Sequence, residues 1–358
     1  MSKSIKQFHG IGLMSGTSLD GLDIAWCQFQ ENRNWWAFKI LKATTLQYSA
    51  DWKSKLLRAH LLAADDLLAL HSEYGHWLGK ACQQFIRKNK ITKVDCIASH
   101  GHTIFHQPHR KFTFQLGDGN AIHGETGLPV VFDFRSLDVQ LGGQGAPLVP
   151  VGDKFLFSEA DVCLNLGGIA NLSLEKSSKR IAFDVCFANM GLNYLTNKLD
   201  LPFDKEGSIA SKGNVNQELL LKLLEFHLSF KSKRPSLARE HFENGLQTLL
   251  DNESISVPDK IRTFVECIAL KIGEAIPTKR KQTVLITGGG AHNTFLVNRI
   301  QFHLGKRSIT QIPSRQIIDF KEALVFAFLG VLRLEGKTNV LRSVTGAKQD
   351  SSSGVLVG

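Results

Sequence analysis

The sequence predicts an α/β protein built from two domains. Strand-like segments alternate with helix-like segments along the chain, which is typical of this class. The 358 residues exceed what one domain of about 150 residues requires. A strand, a glycine-rich turn and a second strand occur twice, at residues 12–23 and 165–173. This recurrence indicates a duplicated α/β core with a cleft between its halves.

The first half begins with a predicted hairpin. Residues 8–14 and 22–29 have strand patterns and flank a turn rich in Gly, Ser and Thr. Long apolar spacing over residues 56–88 predicts helices. Further strands are predicted at 38–48, 94–99, 112–116 and 129–133, with a helix at 119–127.

The second half follows a Gly/Pro-rich loop at residues 142–150, where the sequence predicts the crossing between domains. A second hairpin is predicted from residues 161–166 and 172–175. The remaining predicted strands cover 181–184, 283–287 and 351–358, and the predicted helices cover 217–230, 260–276, 295–304 and 322–335.

Composition excludes several classes of protein. A hydrophobic fraction of 43% with 21% charged residues is ordinary for a soluble globular chain, and the apolar runs are too short to span a membrane. Six cysteines without CxxC spacing favour reduced, buried thiols and a cytoplasmic location, and no secretory signal is readable. The net charge of +10 is spread along the chain, which favours a solvated basic surface over a nucleic-acid site.

The first motif with chemical potential is the glycine turn GLMSGTSLDGLD at residues 12–23. Its backbone N–H groups and its two hydroxyls suit phosphate oxygens, and Asp20 and Asp23 suit Mg²⁺ held together with a bound phosphate. The chain contains no Walker loop. A turn with nothing bound is the alternative.

The second motif, NLGGIAN at residues 165–171, repeats this arrangement. Gly167 and Gly168 permit close approach of the backbone to a ligand, and the two asparagines offer donors to an anion. A tight hairpin without a ligand is the alternative, but the pairing with the first turn favours two sides of one phosphate clamp.

The third motif, LITGGGAHN at residues 285–293, contains Gly288, Gly289 and Gly290. A strand ends in the glycines and a helix follows, so the helix N-terminus faces the turn and suits a nucleotide. The spacing is not that of a Rossmann dinucleotide site, and a plain loop is the alternative.

Two further motifs combine charged and imidazole side chains. In DFRSLD, at residues 133–138, Arg135 suits an anion and an aspartate suits a general base, with a structural Asp–Arg pair as the alternative. In SHGHTIFH, at residues 99–106, hydroxyl binding or hydrogen bonds of the turn are favoured over metal ligation. Glu322 begins an apolar helix, where an acid in the first turn is expected from the helix dipole.

Taken in order from Ile11 to Ala347, these motifs resemble the anhydro-N-acetylmuramic acid kinase family. The resemblance rests on GLMSGTSLDGLD, SHGHTIFHQP, DFRSLDVQLGGQGAPLVP, NLGGIANLS, TGGGAHN, FKEALVFAFLG and a late TGA. It implies two related actin/hexokinase-like (ribonuclease H-like) domains around a central cleft. We expect one domain at residues 1–130 with 338–358 and the other at 131–337.

The resemblance also implies the reaction. With ATP and water, the family converts 1,6-anhydro-N-acetylmuramic acid to N-acetylmuramic acid 6-phosphate and ADP, in the recycling of cell-wall sugars. A small-molecule sugar is the expected partner, Mg²⁺ and ATP are the expected cofactors, and a homodimer is one expectation. No nucleic acid and no membrane are expected as partners.

Individual roles follow from the same resemblance. It makes Asp138 the general base that takes a proton from water. Asp184 and Asn189 belong to a stretch that it places near the sugar, and His102 and Arg135 are candidate substrate-binding residues from their own motifs. It assigns the nucleotide to Gly16, Thr17, Ser18, Leu19, Asp20, Gly21, Leu22, Asp23, Gly167, Gly168, Gly288, Gly289 and Gly290.

The chain departs from the family pattern in two places. Family members usually have DTGPGN where this chain has DVCFAN at residues 184–189, and STGRE where it has SLARE at 236–240. Both stretches are expected near the sugar, where two alternatives are open: Phe187 reshapes the pocket, or the loop is built differently. A sugar kinase of the same fold with another acceptor, and a non-catalytic nucleotide-binding regulator, therefore stay open as alternatives.

Overall fold

The fold is described from a computed structural model, which describes residues 6–16, 19–32, 35–230, 237–251, 254–277 and 281–358. The strands are β1 Lys6–Ser15, β2 Leu22–Asn32, β3 Trp35–Leu46, β4 Cys96–Ser99, β5 His102–Gln107, β6 Phe112–Leu116, β7 Val130–Phe132, β8 Val162–Leu166, β9 Ile169–Lys176, β10 Lys179–Phe187, β11 Gln282–Thr287, β12 Ser308–Gln311 and β13 Val355–Val357.

Helices separate these strands, as the alternating pattern predicts. They are α1 Ala50–Arg58, α2 Ala64–Lys88, α3 Gly119–Thr126, α4 Ser136–Gln140, α5 Pro150–Phe155, α6 Asn189–Asn197, α7 Gln217–Leu228, α8 Arg239–His241, α9 Gln247–Leu250, α10 Val257–Ala275, α11 Thr294–Leu304, α12 Arg315–Leu334 and α13 Arg342–Thr345.

The first sheet has the strand order β13-β7-β4-β1-β2-β3. Strands β1, β2 and β3 form an antiparallel meander, so the predicted first hairpin is confirmed. Strand β4 adds to β1 in parallel, and β7 adds to β4 in the same direction. The C-terminal strand β13 closes this edge antiparallel to β7, as predicted for the last segment.

The second sheet has the strand order β10-β9-β8-β11-β12. It also begins with an antiparallel meander, and β11 and β12 add in parallel beside its first strand. The core of both sheets therefore has the order 3-2-1-4-5, counted along each half. This repeated topology confirms the predicted α/β class and the two related halves, while the predicted cleft stays a prediction.

The chain divides into two compact units, one of residues 1–157 with 320–358 and the other of residues 158–319. The expected domain boundaries, after residue 130 and before residue 338, differ from these. The Gly/Pro-rich loop at 142–150, where a crossing was predicted, lies inside the first unit. The returning chain joins the first unit already in α12, which has non-helical backbone angles at Phe320.

Close packing of α12 on β1 explains why the first unit includes this helix from residue 320 onwards. A Cβ on Gly12 would overlap the carbonyl oxygen of Ala323, and one on Gly10 would lie 3.1 Å from the carbonyl oxygen of Ala327. Only glycine lets a strand and a helix backbone approach so closely. The two glycines at alternate positions of β1 thus place α12 against the sheet.

Each unit has its own apolar core. In the first, Ile11, Leu13 and Ile97 of the central strands pack with Tyr74 and Leu78 of α2. In the second, residues of β8, β11 and α10 form the centre of a larger cluster. All six cysteines are buried and free, as predicted. Within the described residues, no helix is long and apolar enough to cross a membrane.

Candidate active site

The first glycine turn joins β1 to β2 at the edge where the parallel strands of the first sheet end. Leu19 has a left-handed backbone conformation with φ of 56°, and its N–H donates to the carbonyl oxygen of Gly16. Gly21 lies where a Cβ would come within 2.7 Å of Thr45. The turn is therefore tight at both ends, whereas Thr17 and Ser18, expected at the nucleotide, lie outside the described residues.

The carboxylates of this turn differ in their surroundings. Asp20 is exposed at the tip, and Asp23 is half-buried and accepts a hydrogen bond of 2.6 Å from the hydroxyl of Thr45. Leu22 is fully buried, so neither its side chain nor its backbone is exposed to a ligand in this structure. No cluster of three or more metal-ligating side chains occurs among the described residues. The carboxylates of Asp20 and Asp23 are nevertheless of the kind that suits Mg²⁺, which prefers few protein ligands together with water and substrate phosphate.

Arg135 is held by its neighbours in the first unit. Its Nε and Nη2 donate to Nε2 of His100, and its Nη1 donates to the carbonyl oxygen of Gly145 at 2.6 Å. Burial lowers the pKa of Arg135 to about 10, and the nearby Glu322 carboxylate opposes this shift. Burial, with the adjacent guanidinium, lowers the pKa of His100 to about 3, so this imidazole is neutral and accepts. The two Nη groups retain hydrogens for an anionic ligand.

His102 begins β5 and is joined to the first glycine turn. Its Nδ1 lies 2.9 Å from the hydroxyl of Ser15, the last residue of β1. Ser15 in turn accepts a hydrogen bond of 2.8 Å from Tyr48, whose oxygen lies 2.6 Å from that of Tyr74. The imidazole of His102 therefore contacts the residue that precedes Gly16 in the chain. Its expected place at a ligand stays a prediction.

Asp138, the expected general base, is a buried structural carboxylate in this arrangement. Its exposed fraction is 0%. One oxygen accepts from the N–H of Gly145 at 2.8 Å and the other from the hydroxyl of Thr345 at 2.7 Å. A general base must contact the water that it deprotonates. The environment of Asp138 thus does not fit the role that the sequence assigned to it, because protein donors occupy both oxygens.

In the second unit, the turn with Gly167 and Gly168 is joined to the start of α6. The carbonyl oxygen of Gly168 accepts from the N–H groups of Ala188 and Met190, and that of Gly167 accepts from Asn189. These carbonyls therefore cap the first N–H groups of α6. Gly168 is exposed and Gly167 half-buried, so their own surfaces remain accessible to a ligand.

The three consecutive glycines follow β11 and differ in their packing. A Cβ on Gly288 would lie 2.5 Å from Oδ1 of Asn165, and one on Gly290 would lie 2.7 Å from Cβ of Leu166. Gly289 is exposed, and a Cβ there would meet only Nδ2 of Asn189, at 3.7 Å. Gly288 and Gly290 are thus required by packing, while Gly289 has free space beside it.

A cavity of about 460 Å³ lies beside these glycines within the second unit. Its walls come from α6, from the loop before residue 207 and from the start of α12. The lining residues are Asn189, Leu192, Asn193, Phe203, Asp204, Lys205, Glu206, Gly289, Gly290, His292, Asn293 and Arg315. Phe203 is 57% exposed and offers an aromatic face. This volume is in the range of small-molecule sites.

Asp184 belongs to a polar row across the second sheet. Asn165 pairs with Asn171, and Asn171 pairs with Asp184, so the three side chains share one face beside the glycine turns. Asp184 is half-buried and accepts at Oδ2 from the N–H of Leu237 at 2.9 Å. Burial raises the pKa of this carboxyl, although the Leu237 N–H opposes the shift. A partly accessible carboxyl with a raised pKa suits proton transfer.

The two departures from the family pattern meet at this point. A β-bulge follows Asp184, because the pairing register shifts between Asp184 and Cys186. Phe187 is fully buried against Phe226 and Phe242, so it belongs to the core. The side chain of Phe187 therefore does not line the surface beside Asp184, and a differently built loop stays a prediction. The altered SLARE stretch instead contacts Asp184 through Leu237, while Ser236 lies outside the described residues.

The comparison with protein families matches residues 8–358 to the model described as anhydro-N-acetylmuramic acid kinase. The chain belongs to the anhydro-N-acetylmuramic acid kinase family. A relative of that name from Sulfurimonas denitrificans is 34% identical over 97% of this chain and 98% of its own length. Another from Vibrio parahaemolyticus is 35% identical over 97% of both chains.

Solved structures show only a distant likeness. Component A of (R)-2-hydroxyglutaryl-CoA dehydratase from Acidaminococcus fermentans matches with a TM-score of 0.43 and 12% identity, over 89% of this chain and 96% of that one. The activator of 2-hydroxyisocaproyl-CoA dehydratase from Clostridium difficile matches with a TM-score of 0.41 and 12% identity, over 92% of this chain and 97% of that one. Neither likeness bears on the function.

For this member of the kinase family, several residues of the candidate site were missed by sequence reasoning. Tyr48 and Tyr74 lie in a strand-to-helix segment and a helix, without any motif around them. Phe203 and Arg315 line the cavity from positions more than a hundred residues apart. Asp184 was assigned to the sugar but not to proton transfer. Asp184 differs from Asp138 in being partly exposed and in belonging to the polar row.

Proposed function

We propose that the protein is an ATP-dependent kinase that opens the 1,6-anhydro ring of anhydro-N-acetylmuramic acid with water and phosphorylates O6. The products are N-acetylmuramic acid 6-phosphate and ADP, in the recycling of cell-wall sugars. The match of almost the whole chain to this family carries the proposal. Glycine turns at equivalent strand ends of two sheets with the same order support it.

The nucleotide is assigned to two groups of residues. The turn from Gly16 to Asp23 suits the phosphates, because its described ends are tight and it carries two carboxylates, Asp20 at its tip and Asp23 at the start of β2. The cavity beside Gly289 suits the nucleoside, with Phe203 as a stacking surface. Bound Mg²⁺ would neutralise charge on the phosphates, and Asp20 and Asp23 would hold it directly or through water. Asn189 lines the same cavity and stays assigned to substrate binding.

We assign the general base to Asp184 in place of Asp138. Its carboxyl is half-buried, one of its oxygens is fixed by Leu237, and its pKa is raised towards the range useful for proton transfer. Asp138 lacks the access to water that a base needs. Asp184 would take one proton from the water that attacks C1.

The chemistry then balances without a further reactant. A bond forms between the water oxygen and C1 of the sugar, and the bond between C1 and O6 breaks. The electron pair of that bond leaves O6 as an alkoxide, which attacks the terminal phosphoryl group while ADP departs. The proton held by Asp184 is released to solvent afterwards. Arg135 and His102 would orient the sugar or stabilise charge on the transferring group.

An oxygen-labelling assay tests the proposed reaction. In water enriched with ¹⁸O, one heavy atom is expected in the sugar phosphate at C1 and none in the transferred phosphate. The product incubated alone in the same water corrects for exchange at C1. Heavy oxygen in inorganic phosphate would show ATP hydrolysis instead. Phosphorylation of N-acetylmuramic acid or glucosamine in preference to the anhydro sugar would support a kinase with another acceptor.

The dependence on ATP favours a cytoplasmic location, where nucleotide is available. A small sugar is the proposed partner, and neither nucleic acid nor a membrane surface is needed for the reaction. A homodimer stays a prediction from the family resemblance.

A further inference from the structure

Four buried side chains of the first unit form a hydrogen-bonded series that ends at His102. Tyr74, Tyr48, Ser15 and His102 are exposed by 0%, 5%, 2% and 5%. The oxygens of Tyr74 and Tyr48 lie 2.6 Å apart, Tyr48 donates to Ser15 at 2.8 Å, and the Ser15 hydroxyl lies 2.9 Å from Nδ1 of His102. We call Tyr74, Tyr48, Ser15 and His102 together the hydroxyl series.

The hydrogens of the hydroxyl series can be assigned by counting donors. Each hydroxyl carries one hydrogen, and the hydrogen of Tyr48 is directed to Ser15. The hydrogen of Ser15 then needs an acceptor, because a buried hydroxyl without one is costly. Nδ1 of His102 is the acceptor within reach among the described residues. The ring hydrogen of a neutral His102 therefore belongs on Nε2.

The ring of His102 is neutral at physiological pH. Burial lowers its pKa to about 4. Nε2 of His102 has no hydrogen-bond partner among the described residues, yet it is not one of the fully buried polar atoms that lack a partner. The N–H at Nε2 is therefore exposed to accessible space. His100, two residues earlier, has the opposite arrangement, since its Nδ1 faces the carbonyl oxygen of Gly101 and its Nε2 accepts from Arg135.

We propose that Ser15, held in place by Tyr48 and Tyr74, fixes His102 as the Nε2–H tautomer, so that His102 donates a hydrogen bond to an oxygen of the bound substrate. Ser15, Tyr48 and Tyr74 are positioning residues. The acceptor is an oxygen of the sugar or of the terminal phosphate, because Ser15 directly precedes the phosphate turn at Gly16. This substrate role rests on the proposed function, whereas the tautomer does not.

Nitrogen NMR of the protein with ¹⁵N-labelled histidine rings tests the tautomer without turnover. The signals of His102 are identified by their loss in His102→Gln. In the wild type, Nε2 is expected to have the shift of a protonated ring nitrogen and Nδ1 that of an unprotonated one. In Ser15→Ala, the two shifts are expected to move towards each other as both tautomers become populated. A protonated Nδ1 of His102 in the wild type would overturn the proposal, even if Ser15→Ala does not fold.

A matched control is available because the chain has only three tyrosines. Tyr194 lies in the second unit and donates to Asp251. Tyr194→Phe removes a hydroxyl group outside the hydroxyl series and is expected to leave the His102 signals and the activity unchanged. If Tyr194→Phe changes the His102 shifts as much as Ser15→Ala does, the shifts respond to the loss of any buried hydroxyl. The role of Ser15 in fixing the tautomer is then overturned.

Kinetics of Ser15→Ala identify the oxygen that His102 contacts. Loss of one oriented hydrogen bond is expected to raise one KM by about tenfold or less. The melting temperature is expected to fall as well, because the buried hydroxyl of Tyr48 loses its acceptor. A raised KM for the sugar alone indicates a sugar oxygen, and a raised KM for ATP alone indicates the phosphate. If the tautomer shifts in Ser15→Ala but both KM values equal those of the wild type, the substrate role of His102 is overturned. If the wild type lacks turnover on the anhydro sugar, the proposed function fails, while the NMR result still decides the tautomer.

Discussion

Asp138 accepts a hydrogen bond of 2.7 Å from the hydroxyl of Thr345. The bond joins α4 to α13, which lie far apart in the sequence but in the same unit. Together with the N–H of Gly145 it occupies both carboxylate oxygens. This relationship makes Asp138 a connection between two segments of the first unit.

We therefore expect Asp138→Asn to destabilise the protein by about 2 kcal/mol. The amide group would place N–H donors against the donors of Gly145 or Thr345, and a buried donor without an acceptor carries such a cost. Thermal unfolding measures the effect. Asp20→Asn, at an exposed carboxylate of the same charge, is the control and should leave the melting temperature unchanged. Full stability combined with abolished turnover in Asp138→Asn would instead favour a role as base.

Asp184→Asn is expected to lower kcat by about a hundredfold or more, because a general base typically contributes that much. Binding of ATP should persist, since the nucleotide is assigned to other residues. Titration with a fluorescent ATP analogue and the coupled release of ADP measure the two quantities. Turnover within a few-fold of the wild type would exclude Asp184 as the base.

The pH dependence of kcat/KM follows from the same carboxyl. A base acts only when deprotonated, so the rate should fall as the pH drops through the pKa of Asp184. Because burial raises that pKa, the fall should occur at a higher pH than for an ordinary carboxyl. A rate profile from pH 4 to 8 tests this expectation. A flat profile down to pH 4 would contradict it.

Gly289→Ala and Gly290→Ala should affect the nucleotide site differently. A methyl group on Gly289 has space within the cavity, so the fold should persist while the KM for ATP rises several-fold. A methyl group on Gly290 would press against Leu166, so stability should fall. Melting temperatures and ATP titrations of both variants give the comparison. An unchanged KM in a stable Gly289→Ala protein would remove the cavity from the nucleotide site.

Gly12→Ala should prevent the packing of α12 on β1. The added Cβ would overlap the backbone carbonyl of Ala323, which cannot move without shifting the helix, so a loss of about 3 kcal/mol or more is expected. Soluble yield and melting temperature report the effect. Gly124→Ala is the control, because a Cβ in this helix meets nothing within 4 Å and should be neutral or slightly stabilising.

Glu266 should make the second unit sensitive to acid. Burial acts to raise its pKa, but hydrogen bonds from Arg299, Arg262 and His303 outweigh burial and lower it from 4.5 to about 2. A lowered pKa in the folded state stabilises the protein above the unfolded value, and this stabilisation is lost as the pH falls from about 4.5 towards 2. The carboxylate joins α10 to α11 through this network.

Glu266→Gln is therefore expected to lose about 3 kcal/mol at neutral pH, because it leaves the half-buried Arg262 and Arg299 without their counter-charge. The difference from the wild type should shrink towards pH 2. Unfolding by urea at several pH values measures both effects. Glu218→Gln, at an exposed ion pair with Lys222, is the control with little expected change. A difference in the free energy of unfolding that stays constant from neutral pH to pH 2 would contradict the lowered pKa of Glu266.

The glycine turns illustrate how much of the site is predictable from sequence. A strand that ends in Gly288–Gly290 before a helix has a local signature, since backbone conformation and short-range spacing produce it. The turns around Gly16 and Gly167 are predictable for the same reason. Their occurrence at equivalent ends of two sheets with the same order follows from the repeated pattern along the chain.

The separate environments of Asp138 and Asp184 have no such local signature. Both aspartates follow hydrophobic residues, and both belong to motifs of the family. Burial of the first depends on Thr345, and accessibility of the second depends on its place in a row with Asn171 and on a contact from Leu237. Accessibility and pKa depend on every group within several ångströms, and those groups come from distant segments.

From the amino-acid order alone come the α/β class, the duplication, the glycine turns and the kinship with the family. These properties arise from hydrophobic periodicity and from conformations that neighbouring residues determine. Folding in three dimensions decided which aspartate is fully buried and which is half-buried, which nitrogen of His102 faces Ser15 and where the cavity beside Gly289 lies. Such properties depend on packing between residues that the chain order leaves far apart.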